Sequence, residues 1–173
     1  MQMKSRRPTP IPGAGRFPLF PKLIATSFGF GYLPVAPGTW GAIFAVIIWL
    51  PLYIWGTPQA ILWGTIGAAV AFAVLGTWAS SVSERYWGKD PVIACVDETV
   101  GQLISMIPLY CVPGSHWWEI LLSLALFRFF DIFKPLGIRK CEALPRGYGM
   151  MADDVVAAVY SVIIIMTLNH FIL

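Results

Sequence analysis

The stretch AILWGTIGAAVAFAVLGTWASSVS, residues 60–83, holds no charged side chain. As an α-helix it would extend about 36 Å, enough to cross a bilayer with some tilt. Its Gly64, Gly67, Ala68, Ala71 and Gly76 would let neighbouring helices approach closely in lipid, where packing rather than water exclusion drives association. Four further apolar segments flank it, at about residues 40–55, 99–112, 118–133 and 155–173. Those at 99–112 and 118–133 are short for a full crossing, so one of them is expected to be half-inserted or to form part of a helical core.

Reading all five as crossings places the N-terminus, the loop Glu84–Glu98 and the loop Lys134–Asp154 on one face. Every lysine and arginine lies on it, which the positive-inside rule makes cytoplasmic. Only Glu119 falls on the other. Composition agrees: 12% of the chain is charged and 57% hydrophobic, against about 25% charged in a soluble domain. The expected fold is all-α, a multihelical integral membrane protein of about six helices, four or five of which span or insert. It would form one domain over residues 19–173, after a basic, proline-rich tail at 1–18. That tail runs into Pro8, Pro10, Pro12, Pro18 and Pro21 rather than an apolar core, against a cleaved signal peptide.

The net charge of +3 comes from Lys4, Arg6, Arg7, Arg16 and Lys22, suited to an anionic lipid surface. The rest of the chain lacks a basic face for nucleic acid. Cys95, Cys111 and Cys141 have no paired spacing for disulfides or zinc.

Four stretches carry chemistry. The first is FGFGYLPVAPGTWG, residues 28–41, a glycine and proline loop ending where Thr39 is positioned to cap the next helix and to hydrogen-bond a phosphate. The second is Asp90–Gln102, in which Asp97 and Glu98 open a helix and Gly101, one turn on, clears space. In the third, FRFFDIFKP (127–135), Arg128 and Asp131 are three apart on one helical face and Lys134 precedes the helix-ending Pro135. The fourth is GYGMMADDVVAA (147–158), a glycine lead-in to the last helix with Asp153 and Asp154 expected in its first turn. Taken singly, each reads as ordinary helix punctuation or charge neutralisation.

Together they bring carboxylates from three segments to one end of the bundle, where unneutralised they repel strongly. A hard divalent cation resolves this. Asp97, Glu98, Asp131, Asp153 and Asp154 suit Mg2+, which takes oxygen ligands, whereas zinc favours His and Cys. Arg128 and Lys134, with Arg139 or Lys140 in reserve, supply positive charge for a phosphate ester. Cys141 and Arg146 enclose four residues with no glycine-rich cradle, against a cysteine phosphatase. His116 and His170 both lie at the far side in this topology, against a histidine phosphatase, and no Asp-x-Asp loop suggests an aspartyl-phosphate enzyme. Metal-assisted attack by water remains. The same acids would also serve a small ion transporter or a Mg2+-binding membrane protein, although transport sites belong near the midplane between related halves and no repeat is visible.

The strings GFGYLPVAPGTWG (29–41), VDETVGQ (96–102), FRFFDIFKP (127–135) and GMMADDVVA (149–157), with Asp90 seven residues before Asp97, resemble in order and spacing the signatures of the phosphatidylglycerophosphatase A family. The resemblance covers about residues 20–170. It implies a membrane enzyme of the bacterial cytoplasmic membrane that removes the terminal phosphate of phosphatidylglycerophosphate, with Mg2+, to give phosphatidylglycerol. Asp97, Glu98, Asp131, Asp153 and Asp154 would be ligands or base, and Thr39, Arg128 and Lys134 would bind substrate. One metal or two, and which acid is base, stay open.

Overall fold

A computed structural model describes residues 10–89, 91–110, 117–135, 138, 141, 144 and 147–172. Among these are six α-helices and no strand: α1 Leu19–Ala25, α2 Pro37–Trp55, α3 Pro58–Trp87, α4 Val96–Ser105, α5 Trp117–Phe133 and α6 Gly147–Ile172. The all-helical expectation holds. Residues 1–9 of the tail, Asp90, Cys111, His116, Arg139, Lys140 and Arg146 lie outside the described residues.

Three helices are long and apolar enough to cross a membrane: α2, α3 and α6. Along their lengths they expose large apolar side chains, among them Ile47, Ile54, Val70, Val74, Ile163 and Met166, as a lipid-facing surface requires. The segment expected to cross at 99–112 does not form a single long helix. Its α-helix stops at Ser105, and Ile107–Tyr110 continues as a 3-10 turn. Pro108 lacks the N–H that would extend the ladder. The α5 helix is 17 residues long, about 25 Å.

The short α4 is the centre of the bundle, packed against α2, α3, α5 and α6. Eight of its ten residues are buried, including Asp97, Thr99 and Gln102. Small residues make this possible. A Cβ on Gly101 would run into the Phe127 ring of α5 and lie 3.2 Å from the Asp154 carbonyl of α6, and one on Gly76 would meet Val96 at 2.9 Å. The space that Gly101 clears is therefore filled by neighbouring helices. Ala157 and Ala158 of α6 are likewise fully buried.

The loop from α1 to α2 is pinned to the start of α4. Ser27 Oγ donates to the Cys95 carbonyl (3.0 Å) and shares a hydrogen bond with Thr99 Oγ1 (2.7 Å), which also reaches the Gly41 carbonyl (3.0 Å). Along this loop Ser27, Phe28, Val35 and Ala36 hold positive φ angles. Such backbone persists only where the surroundings fix it, and it delivers the N-terminus of α2 to the acids of α4.

Candidate active site

Four helix ends meet at one cavity of about 270 Å3 lined by Glu84, Lys89, Asp97, Glu98, Asp131, Lys134, Leu144, Gly149, Met150, Asp153 and Asp154. Asp97 and Glu98 occupy the first turn of α4, where the positive end of the helix dipole favours them. The α6 helix begins at Gly147, not near Asp153. Gly147 N donates to Ser81 Oγ of α3 (3.2 Å), and a Cβ there would meet Ser80 and Thr77 at 2.8 Å. The two aspartates consequently stand in the second turn rather than the first. Adjacent residues on a helix diverge by about 100°, so they part company. Asp153 is bound by Lys134 Nζ, and Asp154 turns towards α4.

Asp97, Glu98 and Asp154 each present an oxygen such that the three atoms lie within 4.8 Å of one another. Asp97 and Asp154 are buried, and Glu98 is partly so. Burial raises the Glu98 carboxyl above its ordinary range, against the lowering effect of a hydrogen bond with Asp97 and the charge of Arg128. Asp154 Oδ2 and Glu98 Oε2 are buried with no hydrogen-bond partner among the described residues. Orphaned carboxylate oxygens facing one another are costly. They fit a hard divalent cation, whose preferred donors are oxygens.

Two of the other cavity acids, Asp131 and Asp153, are held by cations. Arg128 Nη1 lies 2.6 Å from Asp131 and 3.7 Å from Glu98, so it bridges α5 to α4. Lys134, just past α5, takes a φ of 45° and its ammonium bonds Asp153 of α6. The expected Arg128–Asp131 pair is present, and both cations expected to bind phosphate also hold carboxylates.

Thr39 is placed differently from its expected role. The cap of α2 is Ala36, with Pro37 opening the helix, and Thr39 lies inside the first turn with its N–H bonded to the Ala36 carbonyl at 2.9 Å. The fixed φ of proline suits the first helical position, so the helix starts earlier than a threonine cap would allow. Thr39 does not line the cavity. Its neighbour Gly38 instead abuts the site, since a Cβ there would overlap the Glu98 carboxylate and come within 2.9 Å of Arg128 Nη2.

Two cavity residues, Glu84 and Lys89, were not singled out from sequence. Their signal was position alone: they follow the apolar run of α3 at the same end as the other acids. Cys95, beside the site, is no nucleophile, because burial, reinforced by Glu98, pushes its thiol well up and disfavours the reactive thiolate. Glu119, expected alone on the opposite face, does sit at the other end of α5, but it is 1% exposed.

The family model for phosphatidylglycerophosphatase A matches residues 23–169. The chain belongs to the phosphatidylglycerophosphatase A family. It is 37% identical over 153 residues to phosphatidylglycerophosphatase A of Haemophilus influenzae, covering 87% of this chain and 90% of that one. To phosphatidylglycerophosphatase A of Escherichia coli K12 it is 28% identical, covering 86% of this chain and 83% of the relative. A Bacteroides thetaiotaomicron protein, named provisionally as a phosphatidylinositol-3-phosphatase, is 48% identical over 84% of this chain and 91% of its own length. No solved structure matches the chain. Membership makes this a lipid phosphatase, a phosphoric monoester hydrolase acting on a phospholipid.

Proposed function

We propose that the protein hydrolyses phosphatidylglycerophosphate to phosphatidylglycerol and inorganic phosphate, with Mg2+, at the cytoplasmic face of the bacterial inner membrane. The observation that carries this reading is the convergence of Asp97, Glu98 and Asp154 within 4.8 Å in a cavity where Asp131 and Asp153 are already paired with cations. Among the described residues, six carboxylates, Glu84, Asp97, Glu98, Asp131, Asp153 and Asp154, line it against Lys89, Lys134 and the bridging Arg128. That negative balance would repel a phosphate dianion unless divalent charge were present.

Asp97, Glu98 and Asp154 would hold the ion, which when bound supplies Lewis-acid charge to the phosphoryl oxygens and the attacking water. Asp131 and Asp153 belong to the same set, held in place by Arg128 and Lys134, and those two cations face the phosphate as well. A carboxylate of this set takes the water proton. The water oxygen then forms the new P–O bond while the ester P–O bond breaks and the glycerol oxygen leaves with the electron pair to be protonated. The acyl chains remain in the bilayer, and the one-sided basic residues support a cavity at the cytoplasmic surface. Thr39 stands one residue beyond Gly38, within the α2 turn that abuts Glu98 and Arg128, and would reach the phosphate from there.

Purified protein given phosphatidylglycerophosphate should release phosphate with Mg2+ and stop with chelator. Phosphatidylinositol 3-phosphate assayed alongside tests the specificity suggested by the Bacteroides relative's name: faster turnover of that lipid would replace phosphatidylglycerophosphate as the substrate. Orientation is read with a Thr57→Cys variant, expected to react with an impermeant thiol reagent in intact cells while Arg16→Cys is protected. The reverse pattern would place the cavity on the outer face.

A further inference from the structure

Among the described residues, the cavity contains one cation with no carboxylate partner. Arg128 is tied to Asp131 and Glu98, and Lys134 to Asp153. Lys89 lines the same cavity, is exposed, and has no ion-pair partner among the described residues. Its placement is built into the backbone. Gly88 ends α3 with a φ of 82° and a ψ of 176°, its N–H bonded to the Glu84 carbonyl at 3.0 Å. Only glycine adopts that conformation without strain, and it turns the chain out of the helix so that the next residue lies over the acids instead of continuing the axis.

We propose that Lys89 is the residue that captures the incoming phosphomonoester, a role distinct from the carboxylate-clamping role of Arg128 and Lys134. Three physical points support it. An ammonium already bonded to a carboxylate must give up part of that bond to receive a phosphate, whereas Lys89 loses only water. Its exposure at the rim puts it where a headgroup rising from the lipid surface first meets the cavity. As a point charge on a flexible stem, it can follow the phosphate inward without prior alignment. The assignment rests on the phosphatase reading of this cavity, and it adds a specificity for the dianionic phosphate group.

The test uses the full chain in detergent with Mg2+ and inorganic phosphate as the probe, so that it does not depend on which lipid is turned over. Calorimetric titration should show phosphate affinity falling about tenfold or more in Lys89→Ala, the loss expected for one charge-assisted hydrogen bond, and largely recovering in Lys89→Arg. Arg85→Ala, an exposed cation on the same helix end that lines a different groove, should bind phosphate like wild type. With phosphatidylglycerophosphate, Lys89→Ala should raise KM by a similar factor while kcat stays within about threefold. Unchanged phosphate affinity in Lys89→Ala, or an equal loss in Arg85→Ala, would overturn the assignment. Wild-type protein that binds phosphate through Lys89 yet releases none from the lipid would leave Lys89 standing and refute the substrate reading instead.

Discussion

Both ends of α5 carry a buried acid, Glu119 at 1% and Asp131 at 9% exposure, about 18 Å apart along the axis, and the two ends treat that charge differently. Glu119 occupies the first turn, where the free N–H groups and positive end of the dipole favour a carboxylate. One turn along α5, Gln102 Nε2 of α4 donates to Ser123 Oγ at 3.0 Å. Asp131 stands two residues from the other terminus, where the dipole is unfavourable to it. It is held by Arg128 and faces further carboxylates from α4 and α6. A buried acid is therefore not by itself a mark of function. What distinguishes the cavity is that several helices deliver acids to one place, where among the described residues carboxylates outnumber cations.

The largest effect should come from removing charge where the acids converge. Asp97→Asn and Asp154→Asn keep shape and should each lower turnover by about a hundredfold or more, since several kcal/mol of transition-state stabilisation depend on a correctly held ion. Without metal, each variant should melt at or above the wild-type temperature, because close carboxylates repel. Added Mg2+ should then raise the wild-type melting temperature more than that of either variant. Near-normal turnover in the double variant would erase the contrast between the two ends.

Gly38→Ala comes next. The new methyl overlaps the Glu98 carboxylate and crowds Arg128, so either α2 retreats or the carboxylate is displaced. A displacement near 1 Å costs about a hundredfold in well-aligned catalysis. Turnover should fall by about ten- to a hundredfold, with weaker dependence on Mg2+. Unchanged kinetics would show that the backbone of α2 does not set the position of Glu98.

The smallest effect is expected at the far end. Glu119→Gln retains shape and hydrogen-bonding capacity, and should change turnover and the Mg2+ response by less than about twofold, with a stability change within about 1 kcal/mol. A loss matching that of Asp154→Asn would mean that the two ends of α5 act as one electrostatic system.

Much of this contrast is legible in the chain. Apolar runs broken by charge locate the helices, and one-sided lysines and arginines pick the working end. The i,i+3 spacing of Arg128 and Asp131 predicts a pair that forms at 2.6 Å. Boundaries were less legible. Proline at position 37 starts α2 two residues before Thr39, and the contact of Gly147 with α3 starts α6 two turns before residue 155. Both depend on neighbours that a local pattern does not contain.

Composition and periodicity alone determined that the chain is a helical membrane protein with all its acids but Glu119 at one end, because the cost of exposing backbone or charge to hydrocarbon acts residue by residue. Tertiary structure decided how those acids divide. It set Asp154 with Asp97 and Glu98, gave Asp153 to Lys134, buried α4 at the centre in place of a fifth crossing, and brought Glu84 and Lys89 into the cavity. Those outcomes follow from how far apart helices stand and how they are rotated, quantities fixed by glycine contacts and a pinned loop between segments distant in sequence.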